Sequence, residues 1–284
     1  MITVGGMVFM LQSLKSSFSN FIDVNSYELI ADMVLPSTKV SSLSLSIICA
    51  KISFYKDAFD IMNKNPNKKY VLITTRDTSI NQDMADQCPP NLIRWFGNNV
   101  NVLHPKIRCI PIGLPPLNTQ ISSEKADGVT RRKYISELMN KKRKTTNLVY
   151  LNARTTTNID ERDCLYKFFS DKEWVTIKGG SDRINYVEYI NDIHSHKYII
   201  SPNGNGIDCH RTWESLYLSS IPIVKKSICM SYFQDLPIIY VDDYRQITPD
   251  FLEEESKKIS LKSKDMLDFN YWKKEIFLDA EKHY

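Results

Sequence analysis

Short apolar runs alternate with longer amphipathic stretches along most of the chain. Lys69–Thr75 holds Tyr-Val-Leu-Ile in one block, too short for a helix and apolar on both faces, so it predicts a buried strand. It ends in the polar turn Arg76-Asp77-Thr78. Leu45–Ala50 reads as a strand or a buried helix, and Phe54–Asn63 as an amphipathic helix. Leu92–Phe96 is a short apolar segment, and Asn99–Leu103 reads as a strand. Lys106–Ile112 reads as another, stopped by Gly113 and Pro115-Pro116. A break rich in Pro, Ser, Thr and Asn follows over 114–128, then a surface helix over 130–140.

The alternation then restarts. Strands are expected over 147–151, 174–178, 197–201, 221–224 and 237–241, and helices over 160–169, 186–195 and 210–219. The first of these helices has Asp160, Glu161 and Asp163 near its N-terminus, where negative charge is favourable. A final helical region covers 249–258 and 263 to the end. Strands separated by helices imply parallel sheets with crossover connections. The pattern therefore predicts two α/β halves, each large enough for its own doubly wound sheet, with a ligand cleft between them.

Composition narrows the classes. The chain has 284 residues and a net charge of +4, too little for a nucleic-acid binder. Its most basic stretch, Arg131-Arg132-Lys133 with Lys141-Lys142-Arg143-Lys144, reads as a solvated helix and linker or as a docking patch for an acidic partner. The six cysteines are scattered without a Cys-x-x-Cys pair, which argues against a zinc ribbon. No Asn-x-Ser/Thr sequon occurs, and with the cysteines this favours a reducing, cytoplasmic setting. The apolar stretch Met1–Leu11 lacks the basic flank of a signal peptide, and no apolar run is long enough to span a membrane. Glycine is scarce, with only nine, so each is expected where the backbone needs it.

The chemistry concentrates in 198–224. A buried strand runs into Pro202-Asn-Gly-Asn-Gly-Ile-Asp208 and then a helix, whose N-terminal amides are free to bind an anion. Gly204 and Gly206 allow close approach to the backbone. Arg211 and Glu214 lie three residues apart on one helix face. An arginine can clamp phosphate and a carboxylate can accept both hydroxyls of a ribose, so the set describes a nucleotide-sugar site. A structural Arg211–Glu214 pair on an ordinary helix accounts for the same residues.

The spacing Pro202-x-Gly204, Cys209-x-Arg211-x-x-Glu214-x-Leu216, then Ser219-x-Ile221-Pro222-Ile223 resembles the C-terminal signature of exostosin-like glycosyltransferases. The resemblance covers about residues 145–245, with Ile110-Pro-Ile-Gly113 similar to the strand end near that family's domain junction. The chain is also similar to algal-virus β-xylosyltransferases. The resemblance implies a GT-B fold with two Rossmann-like domains facing a central cleft: an acceptor-side domain over 1–144, a nucleotide-sugar-binding domain over 145–260, and a last helix over 261–284 returning to the first. It implies an inverting transfer of a sugar, xylose favoured, from a UDP-linked donor to an oligosaccharide or glycoprotein acceptor. Ser219 departs from the signature's glycine. Gly206 stands where many retaining enzymes have a second glutamate, and no Asp-x-Asp pair occurs, so no metal or other cofactor is expected.

Within that implied reaction, Arg154, Asn152 and Thr155 are candidates for the diphosphate, with Arg211. Glu214 is the candidate for the ribose, and Asn203, Asn205, Gly206 and Ile207 for phosphate or sugar. Asp208 would reach sugar hydroxyls or cap the helix. Gly179 and Gly180 would lie under the nucleobase or form a plain turn. Asp77, at the carboxyl end of the strand 69–75, is the leading candidate for the base, with Asp83, Asp86 and His104 as rivals. His194 and His196 are not expected to hold a metal. Tyr55, Trp95 and Trp213 are candidates for sugar stacking. A non-catalytic nucleotide-sugar or glycan-binding module is the alternative, and a Rossmann methyltransferase a third. The methyltransferase needs a glycine-rich turn after its first strand, where Gly5-Gly6 come too early.

Overall fold

The computed structural model describes residues 20–36, 45–116, 128–182, 184–259 and 264–283. Gly5-Gly6, the apolar N-terminal stretch and most of the 114–128 break lie outside them. The fold is α/β, with two parallel five-stranded sheets flanked by helices.

In the first sheet, β1 (Met33–Val34), β2 (Leu45–Lys51), β3 (Lys69–Thr75), β4 (Leu92–Gly97) and β5 (Ile107–Cys109) pair side by side in chain order. β2 and β3 are buried along almost their whole length, as unbroken apolar runs in a covered parallel sheet should be. Helix α1 (Val24–Glu28) is started by Asp23, whose carboxylate accepts the Ser26 N–H at 2.7 Å. Helix α2 (Tyr55–Lys64) buries Ala58, Phe59 and Met62 on one face, and α3 (Gln82–Ala85) is a single turn.

Two strand expectations are corrected here. Asn99–Leu103 is not a strand: Asn99 takes φ +56°, which ends the extended run, and only Val100 forms an isolated bridge, to Ile80. The strand expected over 106–112 pairs only over Ile107–Cys109, because Pro111 has no N–H to offer the ladder. The chain then turns at Gly113, φ +67°.

In the second sheet, β6 (Asn147–Arg154), β7 (Val175–Gly180), β8 (His196–Ile200), β9 (Ile221–Lys225) and β10 (Ile239–Val241) lie in the order β7-β6-β8-β9-β10. The direction of winding reverses between β6 and β8. Loops at the carboxyl ends of those two strands splay apart there and leave a crevice, the favoured ligand position in such sheets. The flanking helices are α4 (Gly128–Met139), α5 (Ile159–Phe169), α6 (Tyr186–Ser195), α7 (His210–Tyr217), α8 (Ile228–Ser231) and α9 (Pro249–Ile259). The last helix, α10 (Phe269–His283), returns to the first sheet, where Asp279 pairs with the buried Arg94 of β4.

The basic stretch is solvated only in part. Arg131 and Arg132 are buried, and Arg132 pairs with Asp23. Arg143 donates to the His194 carbonyl at 2.9 Å and to the His196 and Ser219 carbonyls. Only the lysines of the run, 133, 141, 142 and 144, are exposed. Ser219 sits at φ +61°, a left-handed position that glycine accepts freely and that serine fills at a cost of about 1–2 kcal/mol. Among the described residues, no helix is long and apolar enough to cross a membrane.

Candidate functional site

A cleft of about 520 Å³ opens at the reversal point of the second sheet and faces the turn after β3. Its floor is the loop between β8 and α7. Arg162, on α5, holds that loop by donating to the Asn203 carbonyl at 2.8 Å and the Pro202 carbonyl at 3.3 Å. It also ties down the end of β6 through the Arg154 carbonyl at 2.5 Å. Gly204 packs on this guanidinium so closely that a Cβ would stand 2.9 Å from Arg162 Nη2. Gly206 packs likewise on the Asn99 amide, with a Cβ 2.7 Å from its oxygen. The two glycines are therefore fixed by close approach.

Glu214 is buried, and each carboxylate oxygen accepts one tyrosine hydroxyl: Tyr186 at 3.2 Å and Tyr189 at 2.7 Å. Burial and the adjacent Glu214 push both tyrosines well above their ordinary pKa, so they remain donors. Each carboxylate oxygen still has a lone pair to offer. Arg211 does not pair with Glu214. Its Nε and Nη1 are buried without a hydrogen-bond partner among the described residues. Burial opposes its charge, yet Tyr189, Cys209 and Glu214 together raise its pKa. Arg131 also reaches the cleft, its guanidinium 4.2 Å over the Tyr186 ring and its Nε without a hydrogen-bond partner among the described residues. Buried guanidinium N–H groups without acceptors are costly unless a ligand supplies them.

Asp77 lies on the opposite wall, its Oδ2 3.5 Å from Asn205 Nδ2. Its turn is held in an unusual shape: Arg76 takes φ +103°, with its carbonyl accepting from Asn99 Nδ2 at 3.0 Å. Asn99 Oδ1 in turn accepts the Asp208 N–H at 2.7 Å. One asparagine thus joins the Asp77 turn to the glycine loop.

The cleft brings together Asp77, Asn152, Arg154, Gly204, Asn205, Gly206, Asp208, Arg211 and Glu214. Thr155, Asn203, Ile207, Gly179 and Gly180 are not in its lining. Gly179 and Gly180, at φ +81° and +78°, form a strand-end turn packed on Tyr166 and, for Gly179, on Asn152. Asp208 neither caps α7 nor presents a free carboxylate. It accepts the Ile112 N–H at 2.8 Å and the Trp213 indole N–H at 2.7 Å, and burial pushes its pKa up to about 7. His104 is off the cleft, its Nδ1 accepting the Lys106 N–H at 3.2 Å. Asp83 and Asp86 lie on and beside the exposed α3, with Asp86 bonded to Gln82 at 2.6 Å. Trp95 and Trp213 are fully buried and Tyr55 stacks on Trp95, so these aromatics are core.

Sequence reasoning missed Arg162, Arg131, Tyr186, Tyr189, Asn99 and His210. His210, next to Arg211 at the start of α7, carried the one available signal. Among the described residues no cluster of His, Cys, Asp and Glu has the makings of a metal site.

No protein-family model matches the sequence, and no curated protein does. Among solved structures, the wall teichoic acid polymerase TagF, in its H548A form, aligns over 99% of this chain and 99% of its own at 10% identity. The TM-score is 0.25, too slight a likeness to bear on fold or function.

Proposed function

We propose that the chain is a glycosyltransferase of GT-B type that moves a sugar from a nucleotide sugar to a hydroxyl of a glycan, with inversion. The observation that carries the reading is Arg211: a guanidinium whose Nε and Nη1 are buried without a partner among the described residues, beside a carboxylate that has lone pairs to spare, at the reversal point of a parallel sheet. The diphosphate would sit against Arg211, with Arg154 at the adjacent strand end, and Glu214 would accept the ribose hydroxyls. These cations would stabilise the charge that develops on the leaving diphosphate. The exostosin-type spacing of the same residues supports the reading, and it alone favours UDP and xylose.

Glu214→Ala tests it. Losing hydrogen bonds to a charged group costs about 1.5–3 kcal/mol, which predicts a drop of about 10- to 100-fold in UDP affinity by calorimetry. Glu214→Gln keeps the shape and separates ribose contact from tyrosine packing. Unchanged UDP affinity in both variants sinks the assignment.

A further inference from the structure

His210 has no part in donor binding as described, yet its ring lines the cleft beside Arg211. Its Nδ1 lies 2.7 Å from the carbonyl oxygen of Gly113. A carbonyl only accepts, so Nδ1 carries the ring proton and Nε2 carries the lone pair. Nε2 makes no hydrogen bond among the described residues. The carbonyl that sets this tautomer is itself fixed. Gly113 is held at φ +67°, a Cβ there would overlap the Ile22 backbone, and Leu114 N–H donates to the Ile22 carbonyl at 2.7 Å. The ring is thus aimed by one half of the molecule while its helix belongs to the other.

Three charged groups face it: Asp77 from the turn after β3, Glu214 one turn along α7, and Arg131 from α4. Burial, the largest influence, lowers its pKa, so the ring stays neutral near pH 7. A neutral imidazole with a fixed tautomer and a free Nε2 is a proton acceptor ready for use. Asp77 is half-buried and already shared with Asn205.

We propose that His210 Nε2 is the general base of the transfer, with Asp77 across the cleft stabilising the imidazolium that forms. This rests on reading the cleft as a nucleotide-sugar transferase. The acceptor O–H gives its proton to Nε2 as its oxygen bonds to the anomeric carbon. The bond from that carbon to the diphosphate oxygen breaks, and the electron pair leaves with the phosphate. The imidazolium then returns its proton to solvent, with no change of redox state.

The test measures UDP release, with water as nucleophile, from UDP-xylose, UDP-glucose, UDP-galactose and UDP-glucuronate between pH 5.5 and 8.5. UDP affinity by calorimetry and a thermal melt are taken in parallel. His210→Asn places an amide N–H near the Nδ1 position and so keeps the Gly113 bond, but it has nothing at Nε2. It should fold, bind UDP like the wild type, and lose turnover by about 10²–10⁴-fold. The acidic limb of the wild-type kcat profile should vanish with it. Added imidazole should restore turnover to His210→Ala, and Asp77→Asn should lose only about tenfold, near one pKa unit of imidazolium stabilisation. Turnover of His210→Asn near the wild-type rate overturns the proposal, and so does an acidic limb that survives in it. UDP binding without release from any of the four donors also overturns it. A wild-type protein that binds no UDP refutes the nucleotide-sugar reading itself.

Discussion

Replacing Asn99 by alanine removes a fully buried side chain that bonds to both halves of the molecule. Two hydrogen bonds go: Nδ2 to the Arg76 carbonyl at 3.0 Å, and the Asp208 N–H to Oδ1 at 2.7 Å. Each is worth about 0.5–1.5 kcal/mol net, and a buried amide left without an acceptor adds about 1–3 kcal/mol. Alanine at φ +56° carries a further left-handed penalty of about 1–2 kcal/mol, which asparagine partly escapes. The sum is about 3–8 kcal/mol, a large share of the roughly 5–15 kcal/mol that holds a typical protein folded. Asn99→Gly loses the same two bonds but accepts the backbone angle, so it should fall about 1 kcal/mol short of alanine's cost. Equilibrium urea unfolding of the three proteins gives both differences. An alanine cost below about 1 kcal/mol, or a glycine cost larger than alanine's, refutes the reasoning.

Two further outcomes follow from the buried charges. Arg211→Met should cut UDP affinity at least about tenfold, because it removes the cation placed to meet the diphosphate. Calorimetry reads the effect, and an unchanged UDP affinity contradicts it. Asp208 is pushed up to about 7 by burial, so the native state holds an extra proton from about pH 4 to 7 and its contribution to stability falls as pH rises through that window. His194, His196 and His210 are lowered by burial and act in the opposite sense near pH 6.5, so the comparison must be Asp208→Asn against wild type. That variant should gain about 3 kcal/mol relative to wild type between pH 5 and 8. A difference that does not change with pH would sink the assignment.

The strands with unbroken apolar runs, such as Lys69–Thr75, were legible because burial on both faces leaves a plain mark in sequence. The glycine loop with Arg211 and Glu214 was legible because one loop and one helix turn hold all of it. Arg131 and Arg132 were misread because a charge run looks solvated until the partner is known, and Asp23 is more than a hundred residues away. Tyr186 and Tyr189 looked like ordinary helix residues, and only the packing of α6 against α7 turns them toward Glu214. Asn99 reads as strand because the residues after it are apolar, whereas its left-handed backbone answers to two distant hydrogen bonds. His210 carries little meaning in the sequence for a similar reason: it depends on a carbonyl 97 residues earlier.

One apolar core is continuous from the first sheet into the second half, while Val149, Leu151, Leu165 and Ile223 belong to a separate cluster of the second sheet. Val71, Ile73 and Ile112 belong to the continuous core, and so do Tyr150, Ile190, Trp213, Leu216 and Phe233. Trp213, Phe233 and Trp272 stack edge to face in series, at 5.2 and 6.0 Å, and couple α7 to the returning helix α10. Swinging the halves apart would bring this hydrocarbon into water at about 25 cal/mol for every Å² uncovered. The molecule therefore has no cheap hinge. Ligands must enter and leave through the mouth of the cleft by movement of loops and side chains, and heating should unfold both sheets in one cooperative event.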